Sequence, residues 1–395
     1  MSAFACVLGD TDLLRALTLA RVPCAVSVPR GEPARYSRLA RVKLDWADPR
    51  DSPDALLGLL EQFAAAAPQP PVLFYDEDRY VLFISRARER LRRRFRFVVP
   101  ASELVEDLVD KSRFQRLAER FGLPVPPGGV LDPRTDAAPL DLDFPVMLKP
   151  PRRDEAWPPI GGSAKALRVE SPTVLRELWP RLAAARLPVL VQQLIPGAET
   201  QVESYHVYVD DRGERVAEFT GRKIRTWPTA YGFSTALVTS DAPDVTALGR
   251  DIVARLELRG VAKLDFKRAP DGRLYLLEVN PRFNLWHHLG ARAGVNIPAL
   301  VYADLVGEAR PRIGTARAGV RWCNPWRDVL AARAAGISWR AWLAWTLSCE
   351  AKRAFAWDDP FPLIGAMVGR GILHLSHHTP PPPQTPSAAS AGPRG

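Results

Sequence analysis

The chain has 395 residues, 47% of them hydrophobic and 25% charged, with a formal net charge of +10. That is globular composition with length for two or three domains. No apolar run reaches the ~20 residues a membrane-spanning helix needs, and the first residues lack a basic segment followed by a long apolar stretch, so neither a span nor a signal peptide is expected. The positive excess is mostly arginine. Its densest run, Arg86 to Arg96, reads as a helix with a solvated face, with a polyanion contact as the alternative; no nucleic-acid partner is expected. Cys6, Cys24, Cys323 and Cys349 are scattered, without a CxxC pair or a nearby His. They suit a reducing compartment, and a cytoplasmic location is expected.

The first hundred residues alternate strand-like and helix-like patches. Phe4 to Leu8 is an apolar run ending at Gly9-Asp10, Thr11 to Ala20 has helical spacing, and Cys24 to Val28 is a second apolar run. A helix near Pro53 to Ala67 precedes a strand at Val72 to Tyr75; Val81 to Arg94 is helical and Arg96 to Val99 extended. This alternation predicts a small parallel sheet covered on both faces. A Gly-Asp after the first strand is a weak sign of dinucleotide binding, and GxGxxG is absent.

From 101 to about 310 the pattern is α+β. Glu103 to Phe121 reads as a helix closed by Gly122. Extended segments follow at Pro145 to Lys149, Val189 to Gln193, Gln201 to Val209, Arg215 to Gly221, Val261 to Lys267 and Arg273 to Val279. Pro150 to Lys165, with Pro158-Pro159 and Gly161-Gly162-Ser163, is too polar and too rich in Pro and Gly for a core element and reads as a mobile loop. Residues 311–378 hold Trp322, Trp326, Trp339, Trp342, Trp345 and Trp357 and read as a helical appendage. The segment 379–395 reads as a disordered tail.

The segment VAKLDFKRAPDGRLYLLEVNPRFN, residues 261 to 284, carries the chemistry. If Asp271-Gly272 is a two-residue hairpin turn, Pro270 faces Arg273. The same pairing then sets Asp265 opposite Glu278 and Lys263 opposite Asn280. Alternation puts these four polar groups on one face and Leu264, Phe266, Leu277 and Val279 on the other, with Leu276 on the Glu278 face. Two facing carboxylates ~5 Å apart repel unless a cation lies between them, and hard oxygen donors of this kind suit Mg²⁺. The alternative is a solvated polar strand face on which Lys263 merely offsets the acids. His206, His287 and His288 share no helical spacing with an acid or a Cys, which argues against a histidine metal cluster.

LDF…LYLLEVNPR resembles the metal-binding signature of the ATP-grasp superfamily, and other pieces follow in that superfamily's order: Asp110-Lys111, FPVMLKP, VLVQQLIPGAE and TGRKIRTWPTAYG. Uncharacterised carboxylate–amine ligases and D-aspartate ligase-like proteins are the most similar in character. The resemblance implies a pre-ATP-grasp α/β domain over 1–100 and an ATP-grasp domain over 101–310. It implies ATP as cofactor, with Mg²⁺ (Mn²⁺ as alternative) held by Asp265, Glu278 and Asn280. Lys111 and Lys149 would meet phosphates, backbone of Gln193, Leu194 and Ile195 would read the base beside Gln192, and Glu199 would hold the ribose. Arg282, Lys263 and Lys223 form the catalytic cation set, with Arg225 beside them, and 150–165 would close over the phosphates. The implied activity is an ATP-dependent carboxylate–amine (or carboxylate–thiol) ligase acting through an acyl-phosphate on small-molecule substrates, with a homodimer one assembly open to it. An ATP-grasp kinase or carboxylating enzyme, or a non-catalytic nucleotide-binding regulator, are the alternatives. Gln192, where an acid is common, and a phosphate loop with one Gly-Gly pair depart from the pattern.

Overall fold

The computed structural model describes residues 2–150, 157–161, 166–229, 232–353 and 358–365. Most of the loop expected at 150–165, Trp357, the helical reading of 366–378 and the tail at 379–395 therefore lie outside the described residues.

The N-terminal unit begins with β1 (Ala5–Leu8) and α1 (Thr11–Leu19), followed by β2 (Cys24–Ser27), β3 (Ala40–Leu44), α2 (Pro53–Ala66) and β4 (Val72–Tyr75). The strands form a parallel sheet in the order β3-β2-β1-β4. Strands β1, β2 and β4 are buried throughout, as a parallel sheet covered on both faces requires. The strand β3 went unread because its pattern, Ala-Arg-Val-Lys-Leu, belongs to a half-exposed edge. The basic stretch splits into α3 (Asp78–Arg86) and α4 (Arg88–Leu91); Arg96 makes only a single bridge to Val72. Arg86 pairs with Glu106 and Arg90 with Glu61, so these arginines serve exposed ion pairs.

The helix expected at Glu103 to Phe121 is two, α5 (Ser102–Val109) and α6 (Lys111–Arg120). Asp110 takes an extended backbone and its carboxylate accepts from the N–H groups of Ser112 and Arg113, capping α6 so that Lys111 becomes its first residue. A second sheet follows, built from β5 (Gly128–Leu131), β6 (Val146–Lys149), β7 (Leu167–Val169) and β8 (Val189–Gln193) in the order β5-β8-β6-β7. Short α7 (Pro158–Gly161) and α8 (Pro172–Ala184) connect these strands.

The third and largest sheet comprises β9 (Val202–Val209), β10 (Arg215–Trp227) and β11 (Phe233–Ser240); after α9 (Pro243–Arg255) come β12 (Gly260–Arg268) and β13 (Leu274–Asn280). Helices α10 (Trp286–Arg292) and α11 (Ile297–Val306) then lead to β14 (Arg321–Cys323), α12 (Pro325–Ala334), α13 (Trp339–Ser348) and β15 (Ala351–Lys352). The order is β13-β12-β9-β10-β11-β14-β15. The C-terminal stretch is helical at α12 and α13, as expected, and its short strands β14 and β15 extend the large sheet beyond β11. The N-terminal sheet is not sealed off, because Val7, Leu13 and Phe74 share one core with Phe219, Trp286, Leu300 and Trp322.

The hairpin β12–β13 departs from the simple turn in two compensating ways. Its loop has three residues, Pro270-Asp271-Gly272, closed by hydrogen bonds between Ala269 and Arg273 and from Gly272 N–H to Ala269. Gly272 sits at φ +87°, the left-handed position such a loop demands. This loop alone would slip the pairing by one residue and carry Glu278 to the apolar side. A β-bulge restores it: Phe266 pairs with Leu276, but Asp265 pairs with Glu278 and Lys263 with Asn280, leaving Leu277 as the extra residue. Leu276 consequently joins Leu264, Phe266 and Val279 in the core and does not share the Glu278 face.

Candidate active site

Three elements supply the polar groups that meet at the open end of this hairpin. The large sheet presents Glu278 and Asn280 on β13, Lys263 and Asp265 on β12, and Ser204 on β9, which faces Asp265. Lys223 stands on β10, two residues beyond Gly221, the partner of Ser204. The ammonium of Lys263 lies 2.6 Å from Asp265 Oδ2 and 3.8 Å from Glu278 Oε1, so a cation does sit between the two carboxylates. Ser204 Oγ donates to Asp265 Oδ1 at 2.5 Å. Asp265 is buried; burial opposes its charge, but Lys263, Lys223 and the two hydrogen bonds hold its carboxyl well below the usual range. Lys263 is half-buried, and although this partial burial opposes its charge the same carboxylates keep its pKa raised. Glu278 is different, with 55% of its side chain exposed and, among the described residues, Asn280 Nδ2 donating to it at 2.9 Å.

The second sheet forms the opposite wall. Lys149, at the end of β6, donates to Gln192 Oε1 at 3.0 Å, and Gln192 in turn donates to Gln115 of α6 at 2.9 Å. Burial brings the Lys149 pKa down to about 8, against the opposing pull of Glu278 and with help from the neighbouring charge of Lys111. Lys111 Nζ donates to the Pro150 carbonyl at 3.3 Å. Gln192 is therefore a neutral orienter of Lys149; a carboxylate there would lock the lysine into an ion pair.

The segment after β8 is only partly available to a base. The N–H of Gln193 donates to Pro127 O and that of Leu194 to Pro145 O, at 2.8 and 2.9 Å, so those two N–H groups are already engaged. Glu199 opens a short 3₁₀ turn, and Lys267 on β12 donates to the carbonyls of Gly197 and Ala198 just before it.

The N-terminal unit closes the third side through Arg282. Its Nε lies 2.6 Å from Asp78 Oδ1, Nη1 donates to the Asp76 carbonyl at 2.7 Å, and Nη2 donates to Asn280 Oδ1 at 3.2 Å. Burial disfavours its charge, but Asp78, Asp76 and Glu278 keep its pKa raised.

Arg225 is not part of this cluster. The strand β10 bulges between Lys223 and Arg225, and the guanidinium makes a two-pronged pair with buried Asp328 of α12 at 2.8 and 2.7 Å. The three histidines are core residues. His206 stacks on Phe219, His287 packs edge-on to Phe283, and burial lowers the pKa of both. His288 Nδ1 lies 3.2 Å from Asp12. Among the described residues no group of three His, Cys, Asp or Glu stands within reach of one metal ion, so an ion at the hairpin needs the Asn280 amide as a third donor.

Sequence reasoning missed Ser204, Gln115, Asp78 and Lys267. Only Lys267 carried a signal, lying two residues beyond Asp265 on the same strand. The other three lie 61, 77 and 204 residues from the site residues they bond and appear only once the strands are paired.

With this geometry in hand, the chain compares as follows. The sequence profile of a family described as ATP-grasp in the biosynthetic pathway with Ter operon matches residues 186–324. A D-alanine–D-alanine ligase of Halorhodospira halophila is 29% identical over 219 residues, covering 51% of this chain and 66% of that enzyme, just under two thirds of its length. A D-aspartate ligase of Enterococcus faecium is 24% identical over 294 residues, 69% of this chain and 68% of the relative. Among solved structures, the ADP complex of N5-carboxyaminoimidazole ribonucleotide synthetase superposes with a TM-score of 0.61 at 17% identity, covering 81% and 80% of the two chains. No helix among the described residues is long and apolar enough to cross a membrane. The small parallel sheet and the two larger sheets, one of them carrying the β12–β13 hairpin, have the ATP-grasp fold, and within it residues 186–324 match an ATP-grasp family.

Proposed function

We propose that the protein is an ATP-dependent ligase that joins a carboxylate to an amine through an acyl-phosphate. The observation that carries this reading is the meeting of Glu278, Asn280 and Asp265 with Lys149, Lys263, Lys223 and Arg282 in one cleft. Phosphoryl transfer to a carboxylate asks for positioned cations and little else from the protein. The similarity to a D-alanine–D-alanine ligase and a D-aspartate ligase supports a small amino acid as one substrate.

The donor set at the hairpin fits a hard divalent cation: two carboxylates and an amide, with a lysine ammonium now between the acids. Glu278 and Asn280, on the open side, would hold the ion, with Asp265 behind them. Bound Mg²⁺ would neutralise phosphate charge and favour in-line transfer. Lys149 and Lys111 would bind the nucleotide phosphates, and the N–H of Ile195 is left as the donor to the base. Glu199 would accept from the ribose, and Lys267 fixes the turn that presents it. Arg282 and Lys223 would stabilise charge on the carboxylate as it accepts the phosphoryl group. The amine then attacks the carbonyl carbon, the C–O bond to phosphate breaks, and phosphate leaves.

ADP release from purified protein in Mg²⁺-ATP, against amino acids and other carboxylates with and without amines, tests the proposal. Release that requires both an acid and an amine is expected. A stable phosphorylated product formed without an amine would favour a kinase. Nucleotide binding without release across the panel would favour a regulator.

Lys149 supplies a pH test of the nucleotide site. Its folded pKa of about 8 lies below the ordinary lysine value, so it is charged below pH 8 and loses its proton above. Losing a charge-assisted hydrogen bond costs roughly 1.5–3 kcal/mol, so ATP affinity should fall about tenfold or more as pH rises through 8. Lys149→Arg should remove that pH dependence in a fluorescent-nucleotide titration, because a guanidinium stays protonated.

A further inference from the structure

The outer face of α12 and α13 is unlike the rest of the surface. Trp326 and Leu330 on α12 are 54% and 45% exposed, and Trp339 and Leu347 on α13 are 67% and 66% exposed. Scattered surface apolar residues need no explanation, but here they follow one face of each of two packed helices: Trp326, Val329 and Leu330 on α12, and Trp339, Leu343 and Leu347 on α13. The inner face is firmly held: Asp328 receives Arg225, Thr235 and Trp342 Nε1, so the patch is presented on a fixed frame.

The charge of this face selects its partner. Residues 325–348 contain three arginines, Arg327, Arg333 and Arg340, and one acid, Asp328. The arginines are exposed, whereas Asp328 points inward and is buried. Within the two helices the outer face is thus apolar and cationic; exposed Glu350, just beyond α13, accepts from the Arg321 N–H. A second copy of the chain across a twofold axis would set this face against itself and bring arginine against arginine with no exposed acid on either helix to answer. An anionic lipid surface answers both features, taking tryptophan and leucine at the headgroup boundary and arginine against phosphate.

We propose that α12 and α13 dock the protein peripherally on an anionic phospholipid bilayer. Arg225 fastens α12 to β10 two residues beyond Lys223, so the docked face adjoins the cleft and would bring the reaction to the lipid–water boundary.

The test uses the full chain with vesicles of phosphatidylcholine alone and of equal parts phosphatidylcholine and phosphatidylglycerol. Sedimentation with the anionic vesicles, a blue shift of tryptophan emission and release by added salt are expected. Trp339→Ser combined with Leu347→Ser should weaken binding about tenfold or more. Arg333→Glu combined with Arg340→Glu should abolish the preference for anionic vesicles. All four side chains are exposed, so melting temperatures should be unchanged; the arginine pair gives an independent arm should the serine pair melt early. Equal, weak sedimentation with both vesicle types would overturn the proposal. So would a light-scattering dimer that forms without vesicle binding and is lost in Trp339→Ser.

Discussion

Glu278→Ala should fold as the parent does and lose turnover, by roughly 10²–10³-fold or more if Glu278 holds the ion that charges the reaction. Half of its side chain is solvent-exposed, and its contacts are one amide hydrogen bond and a 3.8 Å approach to Lys263. Removing an exposed group of this kind changes stability by about 0.5 kcal/mol or less. The pair of measurements is a thermal melt and ADP release over a Mg²⁺ or Mn²⁺ titration. Undiminished ADP release would remove Glu278 from the metal site. Asp265 should behave otherwise, because it is buried and both its oxygens are engaged by Ser204 and Lys263. Its loss leaves half-buried Lys263 without its closest partner, so inactivity of an Asp265 variant says less about chemistry than inactivity of Glu278→Ala.

The largest stability loss is expected outside the polar cluster of the cleft, at Asp328. This carboxylate is fully buried and accepts from Arg225, Thr235 and Trp342. Asp328→Ala strands a guanidinium that is 12% exposed and leaves two further donors without their acceptor. Breaking a buried pair from one side costs about 3–5 kcal/mol, a large share of the ~5–15 kcal/mol that holds a typical domain together. A fall of that size in the urea unfolding free energy is expected, with Asp328→Asn intermediate because its one amide oxygen keeps an acceptor for Thr235 or for Trp342, which donate to different oxygens of the carboxylate. An unfolding free energy within 1 kcal/mol of the parent would mean that the pair is dispensable.

Much of the site was legible because its centre is local. Asp265, Glu278, Lys263 and Asn280 lie on adjacent strands of one hairpin, where alternation and a turn signal decide which residues face one another. The facing pairs came out right although the turn did not: the three-residue loop and the Leu277 bulge cancel, and neither offset leaves a mark in an apolar Leu-Tyr-Leu-Leu run. Arg225 illustrates the reverse. By alternation it belongs with Lys223, but a bulge and an aspartate 103 residues away turn it to a structural task. Two- and three-residue strands such as β14 and β15 have no periodicity to detect and exist only because β11 offers an edge. The unit divisions blurred for a related reason, since Trp322 packs into the same core as β1.

The polar residues of α1 wait a long time for company. Asp12 is buried and accepts from His288 and Trp322, 276 and 310 residues further along; Arg15 pairs with Asp358, 343 residues further along. Asp10 is likewise approached by Arg353. At ~5–20 residues per second, a ribosome that has made Arg15 reaches Asp358 roughly 20–70 s later. Throughout that interval the opening βα unit carries inward-facing charges with nothing to meet them, so it can be no more than provisionally folded. Its native form is a late event in synthesis, completed when the far end of the chain returns to it, and a nascent chain halted before residue 350 should remain open to proteases across α1.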